Sequence, residues 1–182
     1  MKERIKVHDK YFKPFIANAK IEAIITNVAK ELNNDFKNTE EPPIFLSVLN
    51  GSFMFCASLM QKLDFPCDVS FIKMASYEGT KSTGKIKQLI GLNENIKGKT
   101  IIIIEDIVDS GQTINNLGIL LKEQGAKDIR VCTLFYKPNA YKGKMKINYH
   151  AMDIENEFIV GFGLDYNHLA RQYKDIYIID ED

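Results

Sequence analysis

The chain has no excess charge of either sign: 24 Lys and Arg stand against 24 Asp and Glu in 182 residues. Without an excess, overall charge draws it neither to nucleic acid nor to anionic lipid, and such binding would need a local patch. No apolar run approaches the ~18 residues of a membrane span, and the opening stretch MKERIKVHDK holds no apolar signal core. A soluble, cytoplasmic protein with no nucleic-acid or membrane partner is the expectation. Cysteine is scarce, and Cys56, Cys67 and Cys132 lie far apart in apolar stretches such as FMFCASLM and VCTLF. With no C-x-x-C pairing, a disulfide or zinc site is not expected, and the three thiols read as small hydrophobes. His8, His150 and His168 are equally scattered, which argues against a histidine metal site. What is present is ordinary: 45% hydrophobic and 26% charged residues, too apolar for a disordered chain and long enough for one domain with a real core.

Apolar residues at Ala17, Ile21, Ile24, Ile25, Val28 and Leu32 form a helical stripe over residues 15–32. Pro42-Pro43 then leads into IFLSVL (44–49), a run with no polar face, as in strands buried on both sides. Asn50-Gly51-Ser52 reads as a turn, with Ser52 placed to cap a helix to about Leu63. Residues 67–73 read as a strand. Residues 74–88 are polar, contain two glycines and lack periodicity, so they are expected to be a long loop or lid. A short strand is expected at 89–92 and a central one at Thr100-Ile-Ile-Ile-Ile104, where β-branched side chains face both ways. A helix at 114–124 stops at Gly125, and strands follow at 129–136, 158–160 and 176–179. Alternation of this kind implies an α/β fold with a mainly parallel sheet.

Directly after the four isoleucines come Glu105 and Asp106, then Asp109-Ser110-Gly111-Gln112-Thr113. Ligands of open α/β sheets bind beyond the carboxyl ends of strands, where these residues fall. Adjacent, partly desolvated carboxylates are unfavourable unless something neutralises or hydrogen-bonds them; sugar hydroxyls or a magnesium ion would do so. Backbone amides, two hydroxyls and a helix N-terminus suit a phosphate. Acids for a diol beside amides for a phosphate match a ribose 5-phosphate. A bland alternative has Asp109 or Ser110 only capping the helix and the acids solvated, but it leaves the acid pair after a buried strand unexplained. A triphosphatase would need G-x-x-x-x-G-K-[ST], and Gly98-Lys99-Thr100 precedes a strand rather than a helix. Gly161-Phe-Gly163 likewise lacks the third glycine of a dinucleotide fingerprint.

IIIIEDIVDSGQT (101–113) resembles the phosphoribosyl-pyrophosphate (PRPP) motif of type I phosphoribosyltransferases. VLNGSF, SYEGTKSTGKIK, FYKP and EFIVGFGLDYNHLARQ agree in order and spacing with the hypoxanthine-guanine branch of that family, from about Ile44 to the C-terminus. The resemblance implies a type I phosphoribosyltransferase fold: one domain over 1–182, a mainly parallel central sheet flanked by helices, a flexible lid at about 74–88, and a small hood from the N-terminal segment and about 140–182. It implies transfer of the 5-phosphoribosyl group from PRPP to a 6-oxopurine, with magnesium as cofactor and a homodimer or homotetramer as assembly.

By the same resemblance, Glu105 and Asp106 would bind the ribose hydroxyls, and Asp109, Ser110, Gly111, Gln112 and Thr113 the 5-phosphate. Asp109 would also be the general base toward the purine N7 proton while capping the helix. Lys137 would donate to purine O6, Phe158 would stack on the base, and Ile159 would offer backbone contacts. Asp165 would be the magnesium ligand, with Glu105 and Asp106 as further candidates, and Arg171 would face pyrophosphate. Asn50 and Gly51 match the pyrophosphate turn, where family members often have a non-proline cis peptide. Asn50 stands where many members carry Lys or Arg, which bears on a charge contact there but leaves the backbone amides. Ser76 and Tyr77 match the lid, which would exclude water from an oxocarbenium-like centre as pyrophosphate leaves. The alternative to an enzyme is a PRPP-sensing regulator of the same fold without catalysis; it would need a basic surface and could dispense with Lys137, Phe158, Asp165 and Arg171.

Overall fold

The computed structural model describes residues 3–74, 88–90 and 95–181. Ser76, Tyr77 and the rest of 75–87 in the expected lid lie outside the described residues.

The chain begins with a hairpin, β1 (Ile5–Val7) and β2 (Lys10–Ile16), then α1 (Asn18–Phe36), β3 (Ile44–Leu49), α2 (Phe53–Met60), β4 (Asp68–Met74) and β5 (Gln88–Ile90). It continues through β6 (Thr100–Val108), α3 (Gln112–Glu123), β7 (Asp128–Tyr136), β8 (Tyr149–Asp153), β9 (Ile159–Val160) and β10 (Ile176–Asp180). One sheet has the order β5-β4-β3-β6-β7-β8, parallel throughout except for β5. The other, β1-β2-β10-β9, is antiparallel and joins the two ends of the chain.

The isoleucine run occupies the middle of the main sheet because both its faces are apolar. Ile102 and Ile104 enter the cluster formed with Ile21, Ile25 and Leu32 of α1 and Phe55 and Leu59 of α2. Ile101 and Ile103 face the other way, onto Ile114, Leu117 and Leu121 of α3. A strand with one polar face could not fill this position, since helices cover both sides. The smaller sheet shares the first cluster through Ile16, Ile159 and Ile176, and closes its own around Phe12, Val160 and Tyr177.

Several expected boundaries move. Phe15 and Ile16 belong to β2 rather than to the helix, since Ile16 pairs with Ile176. At its other end α1 runs on to Phe36, whose buried ring extends the stripe one turn beyond Leu32. The helix expected to reach about Leu63 ends at Met60. Ser52 does not cap it: the hydroxyl donates to the Val48 carbonyl (2.5 Å) and lies 2.7 Å from Ser47 Oγ, both buried. The α3 helix begins at Gln112, with Gly111 in the left-handed region as its N-cap and no side-chain cap. Asp109 therefore does not have the capping role expected of it. The residue that caps α1 comes from far away: Asp175 Oδ1 accepts the Asn18 amide at 2.8 Å, placing a carboxylate at the positive end of the helix.

Candidate active site

The carboxyl ends of β3, β6 and β7 lie side by side in the main sheet, so the turns that follow them meet at one rim. After β3 the Leu49–Asn50 peptide is cis. β6 runs past the expected Ile104 to Val108 and so carries the acid pair Glu105-Asp106 in its own carboxyl-terminal part, and the turn into α3 follows it. After β7 comes Lys137, whose amide donates to the Val108 carbonyl at 2.9 Å and so pins one turn against the next.

Glu105 is only 7% exposed, and burial, reinforced by the neighbouring Asp106 carboxylate, pushes its carboxyl well above the usual range. Asp106 is raised to about 6, again chiefly by burial. The Ile107 amide (3.0 Å from Asp106 Oδ1) and the Arg171 guanidinium oppose that rise without cancelling it. Two acids are thus held in a poorly solvated place, a costly arrangement in the absence of a ligand that hydrogen-bonds or neutralises them.

Gly51 lies so close to this pair that a methyl group on it would overlap the Asp106 carboxylate. Gly163, at φ +97°, is pressed in turn on the Gly51 carbonyl. The pyrophosphate-turn candidates Asn50 and Gly51, the acid pair and the 161–171 segment are thereby stacked at one place. Gly161-Phe-Gly163, an incomplete dinucleotide fingerprint, uses its glycines to let backbone lie on backbone, Gly161 packing on the Asp175 carbonyl. The only signal for this was the spacing of two glycines. Phe162, Asn167, His168 and Ala170 also have positive φ. Left-handed backbone at non-glycine residues is strained and clusters where function fixes the chain.

Within that segment, Asp165 and Arg171 meet, Asp165 Oδ1 lying 2.7 Å from Arg171 Nη2. Asp165 Oδ2 accepts the His168 amide at 2.7 Å, and Arg171 Nη1 donates to the Gly163 carbonyl at 2.7 Å. On the α3 side, Asp109 Oδ2 lies 3.1 Å from Lys137 Nζ. The lysine is 8% exposed, so its ammonium is fixed rather than waving in solvent. Ser110, Gly111, Gln112 and Thr113 stand at the N-terminus of α3, the Gln112 amide facing Ser110 Oγ at 3.4 Å. Gly111 is covered by the ring of Tyr141, a residue sequence reading did not single out; a side chain at 111 would collide with it. Phe158 is 43% exposed beside Phe12 and Tyr166, and adjoins the buried Ile159.

Apart from Phe158 and Ile159, the described sequence-expected residues fall into two linked groups. Glu105, Asp106, Asn50, Gly51, Asp165 and Arg171 meet around the glycine stack, and Asp109 through Thr113 meet Lys137 at the head of α3. Among the described residues no three His, Cys, Asp or Glu side chains form a ready-made metal cluster. The donors that exist are an acid pair and Asp165, a set suited to an ion that shares its coordination with a ligand's phosphates.

A family model for the phosphoribosyl transferase domain matches residues 15–167. The chain belongs to the phosphoribosyltransferase family. It is 39% identical over 150 residues to a hypoxanthine-guanine phosphoribosyltransferase of Streptococcus pyogenes serotype M3, covering 82% of this chain and 81% of that protein. To a hypoxanthine phosphoribosyltransferase of Salmonella typhimurium it is 33% identical over 160 residues, or 87% of this chain and 88% of the other. A crystal structure of a hypoxanthine-guanine phosphoribosyltransferase from Bacillus anthracis, with HEPES in its active site, matches at a TM-score of 0.84 and 32% identity, covering 92% of this chain and 96% of that one. The fold is that of the type I phosphoribosyltransferases, and the chain is a transferase rather than a regulator that has lost catalysis.

Proposed function

We propose that the transferase acts in purine salvage, moving the 5-phosphoribosyl group of PRPP to N9 of hypoxanthine, and of guanine, with release of pyrophosphate. The observation that carries this reading is the Lys137–Asp109 pair at 3.1 Å. It sets a donor beside an acceptor. A 6-oxopurine protonated at N7 presents the complementary edge, O6 as acceptor and N7–H as donor on neighbouring atoms. A 6-amino purine would place an N–H against the ammonium, leaving a buried donor without an acceptor.

In the reaction, N9 bonds to the anomeric carbon as the bond to pyrophosphate breaks, and the N7 proton passes to Asp109. Lys137, released from Asp109, holds O6. Glu105 and Asp106 accept hydrogen bonds from the ribose hydroxyls, which replaces the solvation their burial removed. The amides from Asp109 to Thr113 grip the 5-phosphate at the positive end of α3. Phe158 stacks on the base and Ile159 gives it backbone contacts. Asn50, Gly51 and Arg171 take the pyrophosphate. Asp165, with Glu105 and Asp106, would hold magnesium together with the diphosphate, and the ion would offset charge on the leaving group. Arg171 and His168 already engage Asp165, which orients its carboxylate and leaves each oxygen a further lone pair for a ligand.

No described helix is long and apolar enough to cross a membrane. A cytoplasmic homodimer or homotetramer is the assembly we propose. Val69 and Phe71, exposed on one face of β4, support it together with Phe53 at the start of α2.

The deciding experiment incubates the protein with hypoxanthine, PRPP and magnesium and follows inosine monophosphate, with adenine as control. Conversion of hypoxanthine but not adenine is expected; no turnover of any 6-oxopurine would overturn the reading. Asp109→Asn should lower kcat by about 10²–10⁴-fold while PRPP binding changes little. An equal loss in both would remove Asp109 from the role of base.

A further inference from the structure

A sizeable groove lies away from this rim. About 660 Å³ in volume, it runs along α3 and the start of β7, closed by the segment around Lys142 and Met145. Its volume falls in the range of small-ligand sites. Gly118, Ile119, Ala126, Ile129 and Met145 give it an apolar floor, and Ile119 is 59% exposed. Lys122, Lys127, Lys142 and Lys144 also line it. Among the described residues Asp128 is the one acid in the lining, and its carboxylate is already held by Arg130 at 2.9 Å. No ion pair with a described residue engages the four lysines. A chain with no net charge therefore concentrates positive charge at this groove. The wall is also preformed: Asn115 Oδ1 accepts the amides of Lys144 (3.0 Å) and Met145 (3.2 Å), fixing the segment against α3.

We propose that this groove is a second nucleotide site, separate from the substrate site, taking a nucleoside polyphosphate with its base on the apolar floor and its phosphates among the lysines. The charge points to an anion, since four lysines with no acid partner among the described residues favour a polyanion beside them. The floor points to an anion with a planar apolar part, since an inorganic phosphate would leave Ile119 and Met145 uncovered.

The test uses full-length protein with PRPP and magnesium saturating the substrate site, and ATP as the probe, measured by calorimetry and equilibrium dialysis. One equivalent of ATP should bind, and Lys122→Ala combined with Lys144→Ala should weaken it by about tenfold or more. That variant should keep the wild-type melting temperature and transferase rate, because neither lysine touches the substrate machinery. Ile119→Glu should weaken ATP by removing the floor. The proposal is overturned by any of four results: no saturable uptake, uptake unchanged in the lysine variant, uptake abolished by PRPP, or inorganic triphosphate binding as tightly as ATP. A change in sedimentation of Ile119→Glu with unchanged ATP binding would make the groove a subunit contact and overturn it as well.

Discussion

At the scale of single residues, Lys137 and Asp109 stand 28 positions apart in the chain and are paired only because β6 and β7 are neighbours whose carboxyl ends coincide. Each was recognisable from its motif, but their contact was not. In the reaction proposed, this contact is what reads the purine edge, so its loss should appear in base selection before anything else. Lys137→Gln keeps a donor on a side chain one atom shorter but removes the fixed cation. Its kcat/KM for hypoxanthine should drop by about 10²–10³-fold, with discrimination against adenine narrowed. The KM for PRPP should stay within about threefold, as judged by steady-state kinetics with each substrate varied in turn. A parallel rise in the KM for PRPP would move Lys137 from the base to the ribose phosphate.

At the scale of elements, what could be read in the sequence was whatever buries both faces or one stripe. The isoleucine strand, the α1 stripe and α3 with its stop at Gly125 follow from local pattern. Strands β2 and β8 do not. Strand β2 carries Pro14, which reads against a strand until β1 is seen to pair only as far as Phe12, leaving the proline where one side of the strand is free of ladder bonds. Tyr149–Asp153 is too short and too polar to stand out, and is a strand because β7 offers it an edge. Helix starts are not legible in the sequence where capping is remote or absent, as at Asp175 for α1 and Gly111 for α3. Asp175→Ala should therefore destabilise the protein by about 1–2 kcal/mol in urea denaturation. The glycine stack makes a sharper demand. Gly163→Ala puts a methyl group on the Gly51 carbonyl at a left-handed φ, and should cost about 1–3 kcal/mol. Because Gly51 in turn rests on Asp106, the KM for PRPP should rise too. A Gly163→Ala protein with wild-type stability and kinetics would mean that the 161–171 segment does not bear on the acid pair.

At the scale of the whole molecule, the fold positions its site at the expense of its own stability, and pH should expose this. Asp106 is raised from an ordinary 3.8 to about 6 in the fold, and Glu105 is raised as well. Between about pH 4 and pH 6 the native protein therefore holds more protons than the unfolded chain, so stability falls as pH rises through that window and stays low above it. Asp106 is partly exposed, so its share is about 1–3 kcal/mol. Other carboxylates act oppositely as the pH drops, which makes the informative quantity the difference between wild type and Asp106→Asn. Thermal melts across pH 4.5–8 should show the variant gaining on wild type up to about pH 6.5 and then keeping a constant lead. The same variant should bind PRPP poorly, since an amide is a weaker acceptor for the ribose hydroxyls than a carboxylate. PRPP with magnesium should conversely raise the wild-type melting temperature most above pH 6, where the ligand meets Asp106 ionised and offsets the charge that burial leaves poorly solvated. If wild type and variant melt in parallel at every pH, the acid pair is better solvated than its burial implies, and the stability cost assigned to this rim disappears.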